Sequence, residues 1–185
     1  MKEYQQVEVA SCRELREWLL NHHEQSESIW LVTYRKHVED KYVSYDELVE
    51  EALCFGWVDS LPRKLDANRT QHLLSPRKHK SVWSALNKRR VEKLMAEGRM
   101  MPPGQAKIEA AKANGMWTFL DDVEALVIPD DLAAQLAKQP TAQKNFNAFS
   151  NSAKKGILQW IKMAKRENTR QQRIEKTVSL AEKNV

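Results

Sequence analysis

The basic run Pro76-Arg77-Lys78-His79-Lys80 leads into Ser81, and Ser84 follows three residues later. A serine ahead of an apolar run is a helix N-cap signal, and a helix N-terminus offers unpaired N–H groups and about half a positive charge. Arg77, Lys78 and Lys80 add formal charge beside it, and Ser81 or Ser84 adds a hydroxyl, a combination suited to a phosphate, sulfate or carboxylate. The same residues also fit a solvated basic loop followed by an ordinary serine cap. Upstream, Phe55-Gly56-Trp57 followed by Asp59-Ser60 brings an aromatic wall, a carboxylate and a hydroxyl together. Asp59 can pair with Arg63, Arg69 or Arg77, either as a structural ion pair beneath a core tryptophan or as a group that orients an arginine. Of the six tryptophans, Trp57 and Trp83 flank the basic region and are expected to line a cleft. The candidate anion site therefore comprises Trp57, Asp59, Ser60, Arg63, Arg77, Lys78, Ser81, Trp83 and Ser84.

Two other chemistries stay open. Asp59 as a base beside Ser60 would make a small enzyme, although no histidine at meaningful spacing and no nucleophile elbow support a serine hydrolase. Lys162, Arg166, Arg170 and Arg173 fall at i, i+4, i+8 and i+11. On one unbroken helix they would form a positive stripe able to contact nucleic-acid phosphates. A break expected near Asn168 spoils that geometry, and no helix-turn-helix, zinc-finger or RNA-recognition pattern is present. His22, His23, His37, His72 and His79 have no metal-ligand spacing. The five glycines are dispersed, without a Walker or dinucleotide pattern. Neither a metal nor a cofactor is expected.

The elements that position these residues follow from capping and periodicity. Ser11 with Glu14, and Ser44 with Glu47, read as capping boxes ahead of helices. The second helix buries Leu48, Val49, Ala52 and Leu53 and stops at Gly56. Ser28–Tyr34 is rich in β-branched and aromatic residues and reads as a strand, with shorter strands at Trp57–Ser60 and Thr70–Leu74. A helix capped by Ser81 or Ser84 runs to about Glu97, with Leu86, Leu94 and Met95 among its apolar positions. Met101-Pro-Pro-Gly104 punctuates the chain, and another helix covers Ala106–Asn114. From Pro129 the pattern is helical: Leu132 and Leu136, Phe146 and Phe149, Ser152–Arg166, and a last helix with Ile174, Val178 and Ala181 on one face, N-capped near Asn168 or Thr169.

The 185 residues are 42% hydrophobic and 30% charged, the balance of a folded globular chain. No window has the roughly 18 apolar residues of a membrane span, and the polar start MKEYQQVEVA is not a secretory signal, so a cytoplasmic protein is expected. Two cysteines fit a reducing compartment. The net charge of +5 hides alternation: 1–61 and 91–137 are acidic, 62–90 and 138–185 basic. These blocks either neutralise each other in the fold or present a positive face to an anionic partner.

Several of these stretches, in order, resemble the YdeI/OmpD-associated (bacteriocin-protection, OmdA-type) family. Residues 45–60, YDELVEEALCFGWVDS, are similar to its YxExxExALCFGW-hydrophobic-DS signature. Ser75-Pro-Arg-Lys78, Ser81-Val-Trp-Ser84 and Asn87 resemble its PRKxxSxWSxxN element, continued by Lys93-Leu94 and Gly98-Arg-Met100. Ile128-Pro-Asp-Asp-Leu132, Phe146, Lys154-Lys155, Trp160-Ile161, Ala164–Arg170 and Arg173-Ile174 resemble the domain that names the family. The similarity runs from about Trp18 to about Leu180. It departs at Asn168, where the motif often has Glu, which weakens any role for a carboxylate there. The resemblance implies protection against bacteriocins and cationic antimicrobial peptides and an association with an outer-membrane porin. It brings no agreed catalytic residues.

The sequence thus predicts an α+β, predominantly helical protein with a small few-stranded sheet. Its expected domains are an N-terminal α+β domain over 1–124 and a helical OmdA-like domain over 125–185. The expected function is non-enzymatic stress protection through an anionic small molecule or a protein partner, with nucleic acid as the weaker alternative and the oligomeric state open.

Overall fold

The computed structural model describes residues 4–185. The fold is α+β and predominantly helical, and the chain divides into two compact units, Met1–Thr118 and Phe119–Val185. Among the described residues no helix is long and apolar enough to cross a membrane.

The first unit holds a four-stranded sheet of β1 (Gln5–Glu8), β2 (Ile29–Tyr34), β3 (Trp57–Lys64) and β4 (Arg69–Pro76) in the order β1-β2-β4-β3. β1 lies parallel to β2, and β4 runs antiparallel to both β2 and β3. Register places Ile29, Leu74 and Asp59 side by side on one face, with Leu31 beside His72. Gln71 and Arg63 belong to the opposite face, because successive residues of a strand project to opposite sides. β1 has one buried residue in four, Val7, which is too little apolar alternation to announce a strand. β3 runs past Ser60 to Lys64 despite Pro62, which an edge strand tolerates, and its register shifts between Asp59 and Pro62.

Four helices accompany the sheet: α1 (Cys12–His22), α2 (Tyr45–Cys54), α3 (Ala85–Ala96) and α4 (Pro102–Ala113). Ser11 caps α1, Ser44 and Glu47 form a complete capping box on α2, and Ser84 rather than Ser81 caps α3. On α3 the buried residues are Val91 and Leu94, whereas Leu86 and Met95 are exposed. α4 begins at Pro102, four residues before the expected Ala106. The prolines occupy the first helical positions, where a missing N–H costs nothing, so the apparent punctuation is the helix start.

α2 is the centre of this unit, and every residue from Leu48 to Cys54 is buried. Its apolar side joins Ile29, Leu31, Trp57 and Leu74 in the core. Its other side carries Glu50 and Glu51, which cannot be buried without counter-charges. Arg16 of α1 reaches Glu51 at 2.8 Å, and Arg99 reaches Glu51 at 2.7 Å and Glu50 at 3.0 Å. Lys93 of α3 holds Glu50 at 2.8 Å, and Arg16 also donates to the Arg99 carbonyl at 3.1 Å. Beyond α2, Gly56 adopts φ +74°, and a Cβ there would meet Lys107 Cγ at 2.6 Å. A Cβ on Gly104 would meet the Cys54 carbonyl oxygen at 2.3 Å. These two glycines let the start of α4 close on the end of α2 backbone to backbone.

The second unit is helical: α5 (Asp121–Glu124), α6 (Asp130–Ala137), α7 (Pro140–Ala148), α8 (Asn151–Lys162) and α9 (Glu167–Glu182). α9 packs on α6, α7 and α8, burying Ile174, Val178 and Ala181 against Leu132, Leu136, Phe146, Leu158 and Ile161. The N-cap of α9 falls two residues before the expected Asn168. Arg166 holds the N-cap position without a side-chain bond, and Asn168 lies inside the helix.

Two substitutions test what holds α2 in place. Arg99→Ala is expected to cost about 2–3 kcal/mol, below the 3–5 of a fully broken buried pair, because Arg16 and Lys93 remain. Gly104→Ala forces a side chain against backbone, and overpacking of this kind costs about 1–3 kcal/mol or more. Urea unfolding of the full chain reads both.

Candidate functional site

β4 ends at Pro76, paired with Trp57 at the start of β3. Arg77 leaves the sheet there, and its backbone N–H donates to the Gly56 carbonyl at 2.9 Å. The next turn is closed by Ser81, whose hydroxyl accepts from the Lys78 N–H at 3.0 Å and whose own N–H donates to the Lys78 carbonyl at 2.9 Å. This turn folds the Arg77 side chain over the Trp83 ring, with the guanidinium carbon 3.7 Å from the ring centroid. Trp83 itself rests on Trp117 at 5.0 Å.

Arg77 is 97% buried, an unusual state for a guanidinium, and its electrostatics are lopsided. Nη1 donates to the Val82 carbonyl at 3.2 Å, while Nε is buried without a partner. Burial pushes the group down to about 10, opposed at longer range by the charge of Asp59. Among the described residues no ion pair involves Arg77. Arg99, by contrast, touches three carboxylates.

Arg77 lies in the wall of an open groove of about 780 Å³. Lys78 and Lys107 stand on it with exposed side chains, and the loop after α1 contributes His23 and Glu24. Gln25 and Ser26 follow on that loop, and Phe55, Gly56, Pro76, Pro102, Pro103 and Ala106 form the rest of the lining. Trp57 and Trp83 are core residues, 0% and 1% exposed, and do not line the groove. Trp57 donates its indole N–H to the His23 carbonyl at 3.3 Å, which ties the α1 loop to the groove.

Arg77, Lys78, Ser81 and Trp83 thus come together, with Trp57 beneath and Ser84 as the α3 cap. The remaining candidates lie elsewhere. Arg63 sits on the opposite face of the sheet, its guanidinium 4.6 Å from the Trp30 ring centroid. Asp59 makes no ion pair with Arg63, Arg69 or Arg77; it accepts from the Tyr45 hydroxyl at 2.6 Å. Burial and that bond push the Tyr45 phenol up to about 12. Arg69 is taken by Glu8 at 2.6 Å and Asp66 at 2.7 Å. Ser60, next to Asp59 on the strand, projects to the other face and donates to the Leu73 carbonyl at 3.2 Å. Asp59 and Ser60 therefore do not form a base–hydroxyl pair. His23 and Lys107 were not singled out from the sequence. The only signal for them was the pair Gly56 and Gly104, whose close approach brings α4 to the end of α2.

The C-terminal basic residues do not make a stripe, because the chain breaks between α8 and α9. Lys162 is held by Asp122 at 2.6 Å. Arg170 makes a two-bond fork on Asp131 at 2.6 and 2.9 Å. Arg173 stacks on Trp160 and donates to its carbonyl. Arg166, at the N-cap of α9, is exposed. Among the described residues no group of three His, Cys, Asp or Glu is placed to hold a metal ion.

Comparison with known families gives two matches. Residues 7–107 match a family described as "Domain of unknown function (DUF8412)", and residues 125–184 match one described as "Bacteriocin-protection, YdeI or OmpD-Associated". No curated protein and no solved structure matches the chain.

Two measurements follow from the cations' contrasting states. Arg77→Met replaces a buried, unpaired charge by an apolar side chain of similar length, so stability should change by less than about 1 kcal/mol or rise. Asp131 titrates below its usual range because Arg170 hydrogen-bonds its charged form. A depressed carboxylate contributes stability above its unfolded value, near 3.8, and loses it as pH falls through the lower folded value. Asp131→Asn should therefore flatten the loss of stability below about pH 4 in urea titrations of the full chain.

Proposed function

This chain belongs to the DUF8412 domain family and, over residues 125–184, to the bacteriocin-protection (YdeI or OmpD-associated) family, and from that membership we propose that it is a non-enzymatic protection protein that binds an anionic ligand in the Arg77 groove. One observation carries the reading. A guanidinium is buried against Trp83 with an unpartnered Nε and without a carboxylate. Taking an ion out of water costs several kcal/mol, and here the protein supplies one carbonyl, one ring face and the distant charge of Asp59 in return. An oxyanion in the groove that Arg77 lines would supply the missing counter-charge, since arginine takes phosphate or carboxylate through charge-assisted hydrogen bonds. Lys78 and Lys107 add positive potential at the same place.

The enzymatic alternative lacks its parts, since Asp59 and Ser60 face opposite ways and Asp59 is bound to Tyr45. The nucleic-acid alternative depends on Lys162, Arg166, Arg170 and Arg173, of which three are bound within their own unit.

Thermal-shift and calorimetric titration with inorganic phosphate and phosphate-bearing metabolites tests the reading. A ligand at a hundredfold excess over its Kd adds about 2.7 kcal/mol of stability, several degrees of Tm in a chain of this size. The Arg77→Met protein, folded as before, should give no shift, and cells carrying it should lose protection against bacteriocin. A wild-type protein silent to every anion would sink the proposal.

A further inference from the structure

The groove is built for more than a bare ion. Its volume of about 780 Å³ is many times the roughly 30 Å³ share of one water molecule, whereas a tetrahedral oxyanion needs only a few such shares. Much of its wall has no polar side chain: Phe55, Pro76, Pro102, Pro103 and Ala106. The end of α4 strengthens the point. A helix N-terminus usually meets an anion through its first amides, but here the first two positions are prolines without N–H groups, and the Gln105 N–H already donates to the Met101 carbonyl. That end therefore presents pyrrolidine rings. The cations on the lining are Arg77, Lys78 and Lys107, and Glu24 is its one carboxylate. Three cations against one carboxylate leave two positive charges. A phosphate monoester carries about −1.5 to −2 at neutral pH.

Resting on the anion-binding reading above, we infer that the groove takes an organic phosphate: a phosphate ester whose head meets Arg77, Lys78 and Lys107 and whose apolar body lies along Pro76, Pro102, Pro103 and Ala106. A soluble phosphorylated metabolite and a lipid headgroup share this chemistry. The apolar wall, unlike the cations, distinguishes such a molecule from inorganic phosphate and from small carboxylates.

Calorimetry of the full-length protein with hexyl phosphate, inorganic phosphate, hexanoate and hexanol tests this. Hexyl phosphate is expected to bind at least tenfold more tightly than each of the other three. Ala106→Gln, a neutral change at an exposed helical position, should weaken hexyl phosphate severalfold and leave inorganic phosphate within twofold. Lys107→Gln should weaken both. Co-sedimentation with phosphatidylcholine vesicles containing phosphatidic acid separates the sources. Capture that depends on phosphatidic acid identifies a lipid headgroup, and its absence alongside tight hexyl phosphate binding identifies a soluble ester. Equal affinity for hexyl phosphate and inorganic phosphate, or for hexyl phosphate and hexanoate, overturns the inference while leaving a plain anion site. Failure of all of them to bind overturns the anion-binding reading itself.

Discussion

The N-terminal unit depends on a helix whose last seven residues, Leu48–Cys54, are all buried although two of them are carboxylates. Glu50 and Glu51 lie side by side on α2, and desolvating them unpaired would cost several kcal/mol each, a large part of a domain's usual net stability. Arg16, Lys93 and Arg99 answer that demand from three separate parts of the chain. Each contact fixes a neighbour: Arg16 brings in α1, Lys93 brings in α3, and Arg99 anchors the segment that leads into α4. With α2 held in this way, its last residues become a fixed platform. Gly56 and Gly104 let α4 rest on that platform at backbone distance, and the Arg77 groove lies beside the junction. The ionic cluster contributes no ligand contact, yet it decides where the groove is.

Arg99 and Arg77 show two ways of handling a cation in one unit. Arg99 is a third exposed and has three carboxylates in contact, so both its solvation and its charge are satisfied. Arg77 is almost fully buried and has an aromatic face and a carbonyl instead. Cation–π contact is worth about 2 kcal/mol or more when desolvated, less than the several kcal/mol of removing the ion from water. The two arginines are alike in the sequence. They differ in whether the protein meets their charge internally.

Capping chemistry made much of the fold legible in advance. Ser44 and Glu47 fix the start of α2, Ser84 that of α3, and the β-branched and aromatic run Ile29–Tyr34 marks an inner strand. Elements with weak local signals were harder. β1 has a single buried side chain, and its place at the sheet edge comes from pairing with β2. Pro102-Pro103 carries both a break and a helix start, and only packing on α2 selects the second. At the candidate site, Arg77, Lys78, Ser81 and Trp83 were legible because they are neighbours in sequence. His23 and Lys107 come from far along the chain and join through tertiary contacts that no local pattern encodes. Sequence adjacency misled at Asp59-Ser60, where strand geometry sends the two side chains to opposite faces.

β3 is an edge strand of the sheet, and its irregularities have a consequence for how the protein behaves in a crowded solution. An edge with a regular row of unpaired amides and carbonyls is a template for strands of other molecules, the route to amyloid-like stacking. Here Pro62 removes one donor from the row, the register shift beside it bends the ladder, and Arg63 and Lys64 follow with like charges. An incoming strand could not keep its hydrogen bonds in step along β3, so extension of the sheet at this edge is disfavoured.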